Sequence, residues 1–227
     1  MRFRHLDVIT ASFVAVLVIS NIASTKIVDL GPFTFDGGTV LFPLAYIFGD
    51  VLTEVYGFAR ARRVIGVGAA WAAVAAGTFA LVDALPSASD YTMGDSFHAI
   101  LGQTPRIVGG SLAAILVGEL SNGVVLARLK VATAGRMLWL RTIASTVVGE
   151  AVDTAVFLLV AFAGVLTSAT LWDVFQSNYV FKVGVEVAFT PVTYLVVRWL
   201  KRSEGVDVYD DRLDLPAFGF GRRTSEA

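Results

Sequence analysis

The chain has 227 residues, of which 56% are hydrophobic and 16% charged, whereas soluble domains average about 25% charged residues. This composition predicts an all-α membrane protein rather than a soluble globular core. The formal net charge of −1 excludes the strongly basic surface of a nucleic-acid-binding protein. The absence of cysteine excludes thiol catalysis, disulfides and thiolate metal sites.

Six segments are apolar enough, and at roughly 20 residues long enough, to cross a bilayer as helices. They are 8–30, 39–56, 64–85, 107–126, 140–166 and 177–200. For the first segment a signal peptide is the alternative, because Arg2 and Arg4 precede the apolar run. The run continues past the small residues that resemble a cleavage site, so an uncleaved first helix is the better interpretation.

Basic residues mark one side of the predicted six-helix bundle. They are Arg2, Arg4, Arg60, Arg62, Arg63, Arg128, Lys130, Arg136, Arg141, Arg198, Lys201 and Arg202. Basic loops face the cytoplasm, and these loops share a side only if the chain has six spans and both termini are cytoplasmic. Residues 1–202 then form one transmembrane domain, and the polar segment 203–227 is expected to be a disordered cytoplasmic tail.

The outer connections carry little positive charge. The first, residues 31–38, is rich in turn residues, and its alternating Phe33 and Phe35 predict a small hairpin over the outer mouth of the bundle. The second, residues 86–105, is longer and mildly acidic, and it either contains a short interfacial helix at 96–101 or is a loop.

Two carboxylates lie within the second span. Asp50 and Glu54 are four residues apart, so a helix places them on one face, one turn apart. A carboxylate that faces lipid costs roughly 3 kcal/mol or more at the centre of a span, so this face should point into protein or a water-filled cavity. Pairing with the basic turn at 60–63 is the alternative for Glu54. Near the end of the first span, Asn21 is either an interhelical hydrogen-bonding residue or a ligand-facing amide.

The fourth and fifth spans each carry a polar face. Glu119 and Asn122 are three residues apart in the fourth span, and Glu150 and Asp153 are three apart in the fifth. Two acids on one helical face cannot both ionise cheaply in a low dielectric. We therefore expect one of the second pair to be protonated, or a cation to lie between them.

The sixth span supplies a cation, Lys182. It can pair along its own helix with Glu186, four residues on, or across the bundle with Asp153 or Glu150. A purely structural ion pair is one interpretation. We favour a functional one, because ionisable residues inside a membrane are functional candidates by default.

These side chains predict one polar cavity inside the bundle. Its candidate residues are Asn21, Asp50, Glu54, Glu119, Asn122, Glu150, Asp153 and Lys182. Aromatic residues close to them in sequence are Tyr46, Phe48, Phe157, Tyr179 and Phe181. Carboxylates and amides beside aromatic faces suit a flat heterocycle with several donors, such as one with a guanine-like edge. The pattern alone does not choose between a nucleobase, an amino acid and a cation, and we expect neither a metal nor a cofactor.

Several sequence blocks occur in an order that resembles one known family. They are residues 21–26, 42–57, 60–63, 104–107, 118–122, 139–141, 145–154 and 181–182. With these blocks the chain resembles the queuosine precursor transporter family, also called the VUT family. The resemblance implies a bacterial inner-membrane importer, not an enzyme, whose small-molecule substrates are 7-deazaguanine bases. Examples are 7-cyano-7-deazaguanine and 7-aminomethyl-7-deazaguanine. It also implies that the eight candidate residues line the substrate site.

A second resemblance, at the level of fold, leaves another function open. Six-span chains of this size are similar to the substrate-binding components of energy-coupling-factor vitamin importers. In those proteins small residues on the first helix dock a partner, and Ala11 and Ala15 have suitable spacing here. The alternative function is therefore a substrate-binding subunit that needs a separate ATPase. Homo-oligomerisation stays open, and an intramembrane acid protease is disfavoured because no pairing of two catalytic Asp across adjacent helices is evident.

Overall fold

A computed structural model describes residues 3–133 and 138–205. Its helices are α1 (Leu6–Ala23), α2 (Phe42–Tyr56), α3 (Phe58–Asp83), α4 (Gly94–Leu101), α5 (Thr104–Ala132), α6 (Leu138–Phe162) and α7 (Ser168–Glu204). Two strands, β1 (Ile27–Leu30) and β2 (Phe33–Asp36), and a 3₁₀ helix (Gly37–Leu41) lie between α1 and α2. The predicted tail lies outside the described residues from position 206 onward.

Within the described ranges, six helical segments are long and apolar enough to cross a membrane. They are Leu6–Ala23, Gly37–Tyr56, Phe58–Asp83, Gly94–Leu129, Ile143–Phe162 and Ser168–Glu204. The prediction of a mainly helical chain with six helices long and apolar enough to cross a membrane is thus confirmed. Several helices extend beyond the predicted spans, because a span is read from its apolar part and a helix continues into its polar ends.

The first helix ends at Ala23 rather than at residue 30, where the apolar run ends. Residues Ile27–Leu30 form β1, which pairs antiparallel with β2. Gly31 turns the chain with φ +63°, a conformation that glycine adopts without strain. Hydropathy alone could not separate this short strand from the helix before it, although the predicted hairpin is confirmed.

The hairpin packs on the start of α7. The Thr34 N–H donates to Ser177 Oγ at 3.0 Å, and the Phe35 ring packs edge-on against Phe181 with centroids 5.4 Å apart. We call this side of the bundle the hairpin end. The short helix that was one of two options for the second connection also forms, as α4.

The opposite side, which we call the terminal end, is closed by a cluster of buried apolar residues from α1, α2, α3 and α7. The cluster comprises Ile9, Phe13, Val51, Leu52, Val55, Tyr56, Ala61, Val64 and Leu200. Between helices in a bilayer, such side chains stabilise the fold mainly through close van der Waals packing. This cluster holds both ends of the described chain together.

The end of α7 caps the beginning of α1. The Glu204 carboxylate accepts the backbone N–H of Arg4 and of His5, each at 2.8 Å, and the Tyr56 hydroxyl at 3.1 Å. These two N–H groups belong to His5, the N-cap residue of α1, and to the residue before it, and His5 makes no side-chain cap of its own. A carboxylate also interacts favourably with the positive end of the α1 dipole.

Helices α5 and α6 approach each other closely at glycines. A Cβ on Gly118 would lie 3.0 Å from the Cβ of Asp153, and a Cβ on Gly149 would lie 3.1 Å from the Cβ of Asn122. Gly110, two turns before Gly118, makes a similar approach to α6. Small residues at such spacing let membrane helices pack backbone to backbone. The contact places polar residues of α5 beside those of α6.

We predict that Gly149→Leu destabilises the protein, because the side chain has no space between α5 and α6. Overpacking typically costs about 1–3 kcal/mol, and detergent-solubilised protein should show it as a lower melting temperature. Gly123→Leu is the matched control, since nothing lies within 4 Å of a Cβ built there. Equal melting temperatures for the two variants would contradict the packing described.

We also predict that Glu204→Ala lowers stability by about 0.5–1.5 kcal/mol, since it removes the acceptor of the Arg4 and His5 backbone N–H groups just before α1. The expected signature is faster amide hydrogen exchange at the start of α1 together with a lower melting temperature. Arg202→Ala, at an exposed position of the same helical turn, is the control. Unchanged exchange in Glu204→Ala would show that the cap contributes little.

Candidate functional site

A cavity of about 410 Å³ lies inside the bundle, a size that suits a small molecule. Helices α1, α2, α3, α5, α6, α7 and the 3₁₀ helix contribute to its walls. Its polar lining is Ser20, Asn21, Ser24, Asp36, Thr39, Ser111, Asn122, Thr146, Glu150, Asp153, Thr154, Asn178 and Lys182. A larger groove, of about 1000 Å³, lies between α1 and α3. Its walls are mainly apolar and open outward, so in a bilayer it faces lipid.

An ion pair between α6 and α7 forms the charged part of the cavity. Lys182 Nζ lies 2.5 Å from Asp153 Oδ2 and 3.5 Å from Glu150 Oε2. Of the two partners considered for Lys182, the structure selects the acids across the bundle and not Glu186 on its own helix. The Lys182 ammonium thus lies beside both acids. A cation beside Glu150 and Asp153 is one of the two arrangements that the sequence predicts, the other being protonation of one acid. We call these three residues the ion centre.

Aromatic rings flank the ion centre. Lys182 Nζ lies 5.2 Å from the centroid of the Phe42 ring, within the range of a cation–π interaction, and Phe157 also lines the cavity. Among the aromatic residues named from the sequence, Phe181 packs against the hairpin instead. The side chain of Tyr46 lies outside the described part of the chain.

Asp36, at the end of β2, is a buried hydrogen-bonding hub. Its Oδ1 accepts Ser24 Oγ at 2.6 Å and the Gly38 N–H at 3.0 Å. Its Oδ2 accepts Thr39 Oγ1 at 2.8 Å and Asn178 Nδ2 at 2.7 Å. Only 3% of Asp36 is exposed, and its carboxylate joins α1, the 3₁₀ helix and α7. Four donors make burial of this charge tolerable.

Sequence reasoning missed Asp36 and Asn178 as cavity residues. Asp36 belongs to a connection that the prediction placed outside the membrane, and Asn178 lies near the start of a span. A signal was present, since an Asp two residues before Gly38 is typical of an N-cap. Such a signal predicts the local turn but not the distant partner on α7.

Two buried oxygens in the cavity wall have no hydrogen-bond partner among the described residues, Asn122 Oδ1 and Thr154 Oγ1. Buried polar atoms are nearly always paired, and exceptions in a cavity wall mark places where water or a ligand binds. Thr154 lies within about one turn of Glu150 and Asp153 on α6. Asn122 lies across from these acids on α5.

The structure brings together five of the eight predicted site residues along this cavity. They are Asn21, Asn122, Glu150, Asp153 and Lys182. Asn21 is 6% exposed, and its Nδ2 donates to the Leu17 carbonyl at 2.8 Å. The polar face at the end of α1 thus contributes to the same cavity as the ion centre.

The other three predicted residues are placed differently. Asp50 and Glu54 are absent from the cavity lining, and the Glu54 side chain is exposed. The face of α2 that packs inward carries Val51, Leu52 and Val55 instead, while Asp50 is close enough to Glu186 for their charges to interact. The side chain of Glu119 lies outside the described part of the chain.

Comparison with known proteins gives the family. Residues 36–196 match the family described as "putative vitamin uptake transporter". A Bacillus subtilis (strain 168) protein named "probable queuosine precursor transporter" is 29% identical over 191 residues, which cover 82% of each chain. No solved structure matches the chain. The match to the family covers more than two thirds of the sequence and includes the ion centre. The chain therefore belongs to the putative vitamin uptake transporter family, and it is a multi-pass membrane transporter of a small molecule rather than an enzyme.

Proposed function

We propose that this protein imports 7-deazaguanine precursors of queuosine across the inner membrane into the cytoplasm. The substrates are 7-cyano-7-deazaguanine, 7-aminomethyl-7-deazaguanine or both. The observation that carries the proposal is the ion centre, in which two carboxylates face a cavity that also holds amides and aromatic rings. The name of the Bacillus subtilis relative supports the same substrate class.

The chemistry of a guanine-like edge fits this wall. Such an edge presents a ring N–H and an amino group side by side, and one carboxylate accepts both in parallel hydrogen bonds. In our proposal Asp153 or Glu150 accepts this edge, and Lys182 keeps the other acid neutralised. Asn122 and Thr154 belong to the same wall of the cavity.

The opposite wall completes the proposed site. Asn21 reaches the cavity from α1, and Phe42 and Phe157 provide flat apolar surfaces for the ring. Asp50 and Glu54 receive no substrate contact in this proposal because they lie outside the cavity lining, and Glu119 stays a candidate on α5.

The proposal is tested by uptake of labelled 7-cyano-7-deazaguanine in cells that lack their own importer and their own synthesis of the base. We predict that Asp153→Asn and Lys182→Ala each lower uptake at least tenfold. A hydrogen bond to a charged group contributes about 1.5–3 kcal/mol, and the Lys182 variant also leaves two acids side by side without their cation. Queuosine in tRNA provides a second readout.

Glu54→Gln is the matched control for this series, because it removes a carboxylate of a membrane helix that lies outside the cavity. Its uptake should stay within about twofold of the unmodified protein at equal membrane abundance. Normal uptake by both Asp153→Asn and Lys182→Ala would refute the site. No uptake by the unmodified protein, either alone or together with an energy-coupling ATPase complex, would refute the substrate class once membrane insertion is verified.

Orientation is a separate part of the proposal. The basic terminal end should face the cytoplasm and the hairpin end the outside. Since the natural chain has no cysteine, single cysteines report topology directly. We predict that a membrane-impermeant maleimide labels Ser96→Cys in spheroplasts without lysis, and labels Arg62→Cys only after lysis. The reverse pattern would invert the assignment.

A substrate-binding subunit of a multi-component importer is the second candidate. Ala11 and Ala15 are both exposed and line the groove between α1 and α3, where a partner helix can approach closely. Purified protein in liposomes separates the two candidates. Uptake without any other protein supports a self-sufficient transporter, and uptake that requires an ATPase complex supports the subunit.

A further inference from the structure

The cavity has two ends that are built differently. Toward the terminal end it meets the buried apolar cluster, with which it shares Phe13. Toward the hairpin end its wall is polar and consists of Asp36, Thr39 and Asn178. We call these three residues the latch. A transporter must open its site to one side at a time, so the chemistry of each seal bears on how it opens.

We propose that the hairpin and the 3₁₀ helix form a gate at the hairpin end, and that the latch holds this gate closed. The inference rests on the proposed function, since it concerns access to the same cavity. It assigns to Asp36 and Asn178 a role in admitting the substrate rather than in recognising it.

The gate is held against α7 over one helical turn. Four contacts join the two: the Thr34 N–H donates to Ser177, the Phe35 ring packs on Phe181, the Asp36 carboxylate accepts the Asn178 amide, and the Thr39 hydroxyl donates to Asn178 Oδ1. Because these contacts lie between residues 177 and 181 of α7, a small shift of this turn relative to the hairpin breaks all of them together.

The polar latch suits a seal that opens. Separating an apolar cluster exposes hydrophobic surface to water, and this cost rises with the area exposed. Separating a carboxylate from an amide lets water replace the lost hydrogen bonds, so the net difference is small. The apolar cluster at the terminal end is therefore the stable seal in this structure. The latch is the seal that can open, because water can replace its hydrogen bonds.

Two glycines allow the gate to seat closely on α1. A Cβ on Gly38 would lie 2.1 Å from Ser24 Oγ, and a Cβ on Gly37 would lie 2.4 Å from the Ala23 carbonyl oxygen. Neither position can carry a side chain while the gate is closed as seen here. The closed gate is thus a specific, tightly fitted arrangement and not a loose covering.

The latch and the ion centre lie on successive turns of α7. Asn178 holds the gate, and Lys182, four residues on, holds α6 through Asp153 at 2.5 Å. Asp36 is also near enough to Lys182 for their charges to attract. A substrate that takes the Asp153 carboxylate leaves Lys182 paired with Glu150 alone on α6, and the same stretch of α7 carries the latch. Binding and gating therefore act on one helix.

A reversible cross-link tests whether the gate must move. The natural chain contains no cysteine, so Thr34→Cys with Ser177→Cys gives one pair that joins the hairpin to α7 through a short bifunctional thiosulfonate. Uptake of labelled 7-cyano-7-deazaguanine should fall at least tenfold on cross-linking and recover with a reductant. Two residues already in contact can be joined without harm to a static structure, so full uptake by the cross-linked protein would overturn the gate.

The control pair is Asp29→Cys with Thr34→Cys, which shares one cysteine but stays within the hairpin. Asp29 and Thr34 are register partners, and their side chains are hydrogen-bonded at 2.8 Å. Cross-linking this pair should leave uptake within twofold of its reduced form. A tenfold loss here as well would show that the hairpin fails for reasons other than its attachment to α7, and would also overturn the gate.

A second experiment needs no substrate. Ser111→Cys places one thiol in the cavity wall, and its rate of labelling by an impermeant maleimide added at the hairpin side reports opening. Asn178→Ala should raise this rate at least fivefold, while Gln176→Ala, exposed on the same helix, should leave it unchanged. An unchanged rate in Asn178→Ala would refute the latch. If labelling rises although no chain takes up the base, the gate stands and the proposed substrate falls.

Discussion

The ion centre between α6 and α7 is the interaction on which the rest of this structure depends. Glu150 and Asp153 lie within a membrane helix, where an uncompensated charge costs several kilocalories per mole (roughly 3 or more). The charge of Lys182 on α7 is equally costly, and the 2.5 Å contact between Lys182 and Asp153 compensates the charges of these two residues. This pairing determines which faces of α6 and α7 meet. The glycine contacts at Gly118 and Gly149 then bring α5 against the same acids, so one charge requirement and one packing requirement together create the cavity.

Much of this arrangement is predictable from the sequence because membranes simplify the physics. A bilayer demands long apolar helices, so the six crossing helices follow from hydropathy, and the hairpin follows from turn residues around Gly31. The polar residues at the ion centre were also predictable, because a charge inside a span has few acceptable positions. The first helix was extended too far because Ile27–Leu30 is as apolar as the helix before it, and hydropathy does not distinguish a short apolar strand from a helical turn.

The direction of a helical face was much harder to predict than its existence. Asp50 and Glu54 share a face by their spacing, but spacing carries no information about which neighbour the face meets. On α2 the side chains that point inward are Val51, Leu52 and Val55. They bury more apolar surface against α1 and α3 than Asp50 and Glu54 would. Asp36 was not predicted as a site residue, for a different reason. It lies in a connection, and its importance comes from Asn178, 142 residues away, a contact that no local pattern contains.

The ion centre must also be weak enough to serve a transporter. A fully buried and perfectly paired triad would hold its carboxylates too tightly for a neutral base to compete for them. Here the side chains of Lys182, Glu150 and Asp153 line the cavity and remain 15%, 26% and 23% exposed, so a ligand in the cavity can reach them. One ammonium is shared by two acids, and a ligand that satisfies one carboxylate leaves the ammonium with the other. During this exchange each carboxylate keeps a hydrogen-bond or ion-pair partner, and buried polar groups that stay paired lower the cost of moving a polar molecule through a membrane interior.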